Sequence, residues 1–308
     1  MRTKVAVIGA GMVGGTCAQR LAERGYADVV LLDILEGLAQ GKALDILESL
    51  PVAGSDANVT GTSSYEDVRG ARVVVVTSGI ARKPGMSRED LVLINMKVVT
   101  EVCQNIARVA PDSIVVMVTN PLDAMVQLGL RVTGFPRTRL IGQSGVLDSA
   151  RLRTFIAQEL GVSVSSVSAN ILGGHGNTMV ALPRLSSVGG IPLASLLPQE
   201  RIDALVERAV NGGAEIVQLL KTGSAYYAPA AAAVSMVDAI VLDKKEIVPC
   251  AIRLEGEYGM EGVVVGVPVK LGASGVEQVL EVELTDAEKA ALTRSADAVR
   301  ETVAIMGL

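Results

Sequence analysis

Short apolar runs and longer amphipathic stretches follow one another along this chain with little between them. Lys4-Val5-Ala6-Val7-Ile8 is a β-branched run ending in Gly9-Ala10-Gly11-Met12-Val13-Gly14, after which Cys17, Leu21 and Ala22 recur at helical spacing until Gly25. A second strand is expected over 28–33. An amphipathic helix over 38–50 should stop at Pro51, because proline lacks the N–H and clashes with the preceding turn. A short strand near Val59 follows. Arg72-Val73-Val74-Val75-Val76-Thr77 and Ile114-Val115-Val116-Met117-Val118 are continuous apolar runs without alternation, as strands covered on both faces of a parallel sheet require. Between them Ser87 and Asp90 form a capping pair, and Leu91, Ile94, Val98, Val102, Ile106 and Val109 predict one buried helical stripe.

Near Gly142 the strand–helix rhythm breaks, which divides the chain into residues 1–143 and 144–308. A helix over 147–160 stops at Gly161, and a glycine-rich loop around His175 leads to a strand-like run over 179–185. Helices are expected over 199–221 and 227–242, and strands over 247–257 and 263–269. The last helix opens with the pair Thr285 and Glu288, and Leu292, Ala296, Val299, Val303 and Met306 form its apolar stripe. The fold class is therefore α/β: a Rossmann-type doubly wound parallel sheet followed by an α+β domain.

Composition removes several classes of function. With 308 residues, 49% of them apolar, the chain can bury one large core or two smaller ones. Net charge is −5 with no block of like charges, so no nucleic-acid surface is indicated, and an anionic substrate would need local cations. Three cysteines without a CxxC pair and a single histidine argue against a metal site and against a disulfide framework. The longest apolar stretch, 226–242, contains Pro229 and Asp238 and falls short of the roughly 20 residues of a membrane span. Glycines interrupt the amino-terminal apolar run, so a secretory leader is not expected and a cytoplasmic location is.

Candidate chemistry begins at the glycine turn. Gly9 permits the tight bend, Gly11 lets backbone approach a pyrophosphate, and Gly14 lets helix and strand pack closely. The helix amino terminus offers free N–H groups to phosphates. Asp33, nineteen residues beyond Gly14, can accept hydrogen bonds from a ribose 2′-hydroxyl and would repel a 2′-phosphate, which favours NAD over NADP. The loop after Thr77 holds Arg82, Lys83 and Arg88 and no acid, and it lies where open α/β sheets bind ligands; solvated surface charge is the other reading. Asn120 is either a ligand to a bound oxygen or a turn residue set by Pro121. Asp148 and Arg151 share a helix face and form either a site pair or a surface ion pair. His175, in Gly173-Gly174-His175-Gly176-Asn177, is the one side chain whose ordinary pKa suits proton transfer near neutrality; a structural histidine is the alternative.

Taken together these motifs resemble the lactate/malate dehydrogenase family, in its malate branch, over nearly the whole chain. The resemblance rests on Gly9 to Gly14, Arg82-Lys83-Pro84-Gly85-Met86-Ser87-Arg88, Val118-Thr119-Asn120-Pro121-Leu122-Asp123, Gly145-Val146-Leu147-Asp148-Ser149-Ala150-Arg151 and Gly173-Gly174-His175-Gly176. It implies reversible hydride transfer between (S)-malate and NAD+, giving oxaloacetate and NADH. By the same resemblance His175 is the acid/base group with Asp148 as its partner, Arg151 grips the C1 carboxylate, and Arg88 rides a closing loop. Arg82 pairs the second carboxylate, where lactate enzymes carry glutamine, and Asn120 contacts substrate and cofactor. Met12, Val13, Thr77, Gly79, Asn95 and Val118 join Gly9, Gly11, Gly14 and Asp33 as candidate cofactor contacts. Gly174 agrees with the malate branch, where lactate enzymes have glutamate, while Asn177 departs from the family's usual aspartate. The family forms dimers and tetramers, and a homotetramer is the expectation, with no nucleic-acid or membrane partner. Two other functions compete. One is an L-lactate or other 2-hydroxy-acid dehydrogenase, against which Arg82 argues. The other is a non-catalytic NAD(H) sensor, which would need the glycine turn and Asp33 but not Arg82, Arg88, Asp148, Arg151 and His175.

Overall fold

The computed structural model describes residues 2–81 and 86–308, and of Arg88 only the backbone. Its first half runs β1 (Thr3–Ile8), α1 (Met12–Glu23), β2 (Ala27–Leu32), α2 (Leu38–Ala53), β3 (Val59–Thr62), β4 (Val73–Val76), α3 (Arg88–Val109), β5 (Ile114–Met117), α4 (Leu122–Thr133) and β6 (Leu140–Gly142). These strands are parallel in the spatial order β3-β2-β1-β4-β5-β6, so the order reverses between β1 and β4, where doubly wound sheets open a ligand crevice. Alternate residues of one strand enter opposite cores. Val5, Val7, Val73 and Val75 pack under α1, α2 and a later helix over 227–241, whereas Ala6, Ile8, Val74 and Val76 pack under α3 and α4. Covered on both faces, these strands show no polar alternation.

The second half runs α5 (Gly145–Leu160), β7 (Val167–Ser168), β8 (Ile171–Leu172), β9 (Val180–Ala181), β10 (Ser187–Val188), β11 (Ile191–Pro192), α6 (Gln199–Leu220), α7 (Tyr227–Val241), β12 (Glu246–Glu255), β13 (Glu261–Gly272), β14 (Gly275–Val279) and α8 (Asp286–Ile305). β12 pairs antiparallel with β6 through Ala251 and Gly142, so β12, β13 and β14 extend the first sheet to nine strands. One sheet therefore runs through both halves of the chain. A third core forms where α5 and α6 close over β7, β8 and β10.

Three local expectations differ from what the chain does, and one strand was not expected. α2 continues through Pro51 to Ala53, because the proline falls in the last turn, where little helix follows for it to break; the helix stops instead at Gly54, whose φ of +72° lets its N–H close on Leu50. On α3 the buried face is wider than one stripe: Val92, Val99 and Cys103 are fully enclosed, while Ile94 stays 38% exposed, since the helix packs on the sheet and on α4 together. Only Val180–Ala181 of the run over 179–185 is strand, and a 3₁₀ turn beginning at Pro183 takes the rest. β14 has no sequence signal, being short and carrying Glu277 and Gln278. Among the described residues no helix is long and apolar enough to cross a membrane.

α8 returns across the molecule to α4 and β13 and carries Ser295 and Val299 to the crevice. Its start is set by a complete capping box, in which Thr285 Oγ1 accepts from Glu288 N and the Glu288 carboxylate accepts from Thr285 N. Thr285→Ala should cost about 1 kcal/mol and lower the urea midpoint with an unchanged m-value. An unchanged midpoint would mean that packing alone positions α8.

Candidate active site

β1 ends in a turn that only glycine can make. Gly9 sits at φ +104°, and a Cβ there would lie 2.8 Å from Ser78 N and from Thr77 Oγ1. A Cβ on Gly14 would collide with the Gly9 carbonyl oxygen, so α1 leaves the strand at closer range than any other residue would permit. Thr77 fixes the turn from β4 by donating its hydroxyl to Gly9 O at 2.9 Å. Gly11 caps α1 without a side-chain hydrogen bond, no acid lies in the first turn, and a Cβ on Gly11 would meet nothing within 4 Å. The helix end formed by Met12, Val13 and Gly14 thus presents an open positive pole. Asp33 stands beside it, half-buried. Its Oδ2 accepts from Ala10 N at 2.7 Å and its Oδ1 from Leu35 N at 3.0 Å, leaving acceptor capacity on both oxygens. Amides for a pyrophosphate and a carboxylate for a ribose suit a dinucleotide without a 2′-phosphate.

The loops after β4 and β5 are tied together beside this turn. Gly79, at φ +139°, approaches Thr119 and Asn95, and Thr119 Oγ1 donates to Ser78 O at 2.6 Å. Asn95 packs between the two loops. It is fully buried on α3, its Oδ1 accepts from Ile80 N, and its Nδ2 donates to Ile80 O and to Asn120 O at 2.7 Å. Its carboxamide joins the two loops. Val118 is buried at the end of β5, and Asn120, exposed and followed by a cis bond to Pro121, lines a cavity of about 330 Å³. Arg82 lies outside the described residues. Arg88 opens α3, and its side chain lies outside them also.

His175 lines the same cavity and is held by four elements at once. Three successive backbone N–H groups are engaged: Gly173 donates to Gly266 O on β13, Gly174 to Ser295 Oγ on α8, and His175 to Asp123 Oδ2 on α4, each at 2.8 Å. The ring is held from α5, where Asp148, 1% exposed, accepts from Nδ1 at 2.9 Å through Oδ2. Its other oxygen accepts from Arg151 Nη1 at 3.0 Å. With Nδ1–H on the carboxylate, Nε2 is the nitrogen left to a reactant. Burial opposes the imidazolium, but the charge of Asp148, its hydrogen bond and the charge of Asp123 outweigh burial and the repulsion of Arg151, so the His175 pKa is raised. Arg151 itself lies under α6, where a Cβ on Gly212 would come within 3.1 Å of its Cδ. The glycine pair Gly212-Gly213 makes room for the guanidinium.

Residues 3–142 match the family model for the lactate/malate dehydrogenase NAD binding domain, and residues 145–305 match that for the lactate/malate dehydrogenase alpha/beta C-terminal domain. The chain belongs to the lactate/malate dehydrogenase family. A malate dehydrogenase of Thermomicrobium roseum is 55% identical over 306 residues, covering 99% of each chain. Among solved structures, a malate dehydrogenase of Cryptosporidium parvum superposes with a TM-score of 0.97 at 41% identity over 100% of both chains. A lactate dehydrogenase of the same organism, complexed with lactic acid and nicotinamide adenine dinucleotide, superposes with a TM-score of 0.96 at 43% identity, over 100% of this chain and 98% of that one.

The family motifs gave roles to the ring, the relay carboxylate and Arg151, but none to Asp123, Ser295 or Gly212-Gly213. The signals were present. Ser295 is a polar residue within the apolar face of α8, and a Gly-Gly pair inside a helical pattern needs a packing reason. Because the chain has one histidine, its titration can be read by ¹⁵N NMR of tag-free protein without assignment. Asp148→Asn should lower the ring's pKa from its raised wild-type value, and a midpoint that stays in place would remove Asp148 from the electrostatics. The sign also fixes the stability trend: what the pair adds through the imidazolium is present below the unfolded pKa and is lost as pH rises through the higher folded one.

Proposed function

We propose that this protein catalyses the NAD-dependent interconversion of (S)-malate and oxaloacetate. The observation that carries the reading is the continuous set Arg151–Asp148–His175 at the crevice, in a chain whose full length is shared with malate dehydrogenases. We further propose that residues 1–143 hold the cofactor and residues 144–308 supply the acid/base pair and Arg151.

Met12, Val13, Gly14 and Asp33 would hold the pyrophosphate and ribose, with Gly9, Gly11, Thr77 and Gly79 shaping the cradle and Asn95, Val118 and Asn120 at its nicotinamide end. Bound NAD supplies the acceptor, or in reverse the donor, of the hydride at substrate C2. Neutral His175 takes the hydroxyl proton of malate on Nε2 during oxidation, and the imidazolium returns it to the carbonyl oxygen of oxaloacetate in the other direction. Asp148 fixes the tautomer and stabilises the charged ring. Arg151 grips the C1 carboxylate with two parallel hydrogen bonds, a geometry that lysine lacks. Arg88 polarises the carbonyl. Arg82 pairs the second carboxylate. A buried arginine without a partner costs roughly 3–5 kcal/mol, so pyruvate should be disfavoured by two to three orders of magnitude.

One observation keeps a lactate-oxidising reading in view: the superposition on a lactate dehydrogenase is nearly as close as that on a malate dehydrogenase. Residue 82 distinguishes them. We also place the enzyme at the malate step of the tricarboxylic acid cycle, in the cytoplasm, as a homotetramer. Apolar residues on α2 and α6, Val52 at 93% and Leu219 at 76% exposure, support subunit contacts, and sedimentation velocity reads their number.

Oxidation of NADH should depend on oxaloacetate, with kcat/KM at least about 100-fold above that for pyruvate. His175→Asn should lower kcat by roughly 10²–10⁴ with NADH affinity retained. Arg82→Gln should move preference toward pyruvate. An unchanged oxaloacetate-to-pyruvate ratio in that variant would remove Arg82 from substrate choice.

A further inference from the structure

Beside the relay carboxylate a second acid faces His175. Asp123 lies in the first turn of α4, is 6% exposed, and receives the His175 backbone N–H on Oδ2 at 2.8 Å. Among the described residues its enclosed Oδ1 has no hydrogen-bond partner. An anion buried with one oxygen unpartnered is costly, and a backbone N–H alone would be served equally by a neutral acceptor such as the Ser295 hydroxyl that holds the adjacent Gly174. The charge therefore needs a reason beyond holding the loop.

The geometry points to Asp123 as a positioning residue that acts through His175, anchoring its backbone and, when ionised, favouring the protonated ring. Among the described residues the titratable groups that act on it are His175, which stabilises its charge, and Asp148, which opposes it. The other elements around it present uncharged groups to the shared cavity: Leu91 from α3, Asn120 from the turn, and Ala298, Val299 and Thr302 from α8. Asp297 and Arg300 of α8 pair with each other on its exposed side. Burial pushes the Asp123 carboxyl up to about 6, with the hydrogen bond from His175 and the ring's charge drawing it back. Asp123 is thus ionised at neutral pH and takes a proton as pH falls through about 6. Below that point the imidazolium loses one of its two carboxylates. The ring and Asp123 titrate as a linked pair, and Asp123 tilts the acid/base group toward the form that reduces a carbonyl.

The consequence for turnover rests on the proposed reaction, whereas the NMR consequence does not. Protein labelled with [¹⁵N]histidine and free of tag histidines gives one backbone amide, donating to Asp123, and one ring, donating to Asp148. In the wild type the amide resonance should show a step near pH 6 in addition to the step it shares with the ring nitrogens. An amide that follows only the ring, or does not titrate, overturns the proposal even if every variant fails to fold. In Asp123→Asn, which retains an acceptor but no charge, the ring midpoint should fall. The alkaline limb of oxaloacetate reduction should move the same way, with kcat/KM at pH 8 reduced roughly threefold to tenfold. Ser295→Ala, which removes the neighbouring uncharged anchor, should leave the ring midpoint in place. Loss of kcat in Asp123→Asn with an unmoved ring midpoint would reduce Asp123 to a loop anchor. A moved midpoint without oxaloacetate-dependent NADH oxidation would keep the proposal and overturn the assigned reaction.

Discussion

The hydrogen bond from His175 Nδ1 to Asp148 Oδ2 is the contact around which the second half of the chain is arranged. It selects the tautomer, gives the imidazolium an enclosed counter-ion, and leaves Nε2 free of the carboxylate. A charge-assisted bond of this kind is worth about twice a neutral one, but only when both partners are held. Asp148 is fixed by the buried start of α5 and by Arg151. The ring is fixed through its own backbone, where three consecutive N–H groups reach β13, α8 and α4. Segments about fifty and a hundred and twenty residues away in sequence converge on two residues of one loop.

The sheet makes that convergence possible. Its parallel part brings the carboxyl ends of β1, β4 and β5 to one edge, so the glycine turn, Thr77 and Asn120 face a common crevice. Its antiparallel extension carries β13 beneath the histidine loop, where Gly266 and Gly173 exchange backbone hydrogen bonds. Close approach is a matter of absent side chains at a few points. Gly14 lets α1 start against the strand, Gly212 lets Arg151 lie under α6, and Gly145 lets α5 begin against the Ile171 carbonyl, where a side chain would strike backbone. Valine, isoleucine and alanine fill the cores around these points, which suits a chain with no tryptophan and two phenylalanines.

Much of this could be read from the sequence, for identifiable reasons. Unbroken valine runs can only be doubly covered strands, a capping pair such as Thr285 and Glu288 marks a helix start from local chemistry alone, and a glycine turn followed by Asp33 has few other uses. What escaped was decided by tertiary packing. Pro51 did not end α2, because its place in the final turn removed most of the penalty. That Asn95 would tie the loops after β4 and β5 together could not be read from the sequence, because both partners lie far along the chain. Asp123 was one more acid in a motif until the fold put it against the backbone of His175. Local patterns name the residues able to do chemistry, while long-range contacts decide which of them touch.

Proton transfer at this site requires Nε2 of His175 to point at the substrate oxygen when a substrate analogue is bound. The most direct measurement is a crystal structure of the ternary complex with NADH and the malate analogue tartronate. The account predicts the analogue's 2-hydroxyl within about 3.2 Å of Nε2, one carboxylate on Arg151, and the Nδ1–Asp148 hydrogen bond intact. A ligand bound away from His175, or a ring turned so that Nδ1 faces the ligand and Asp148 has lost it, would contradict the account.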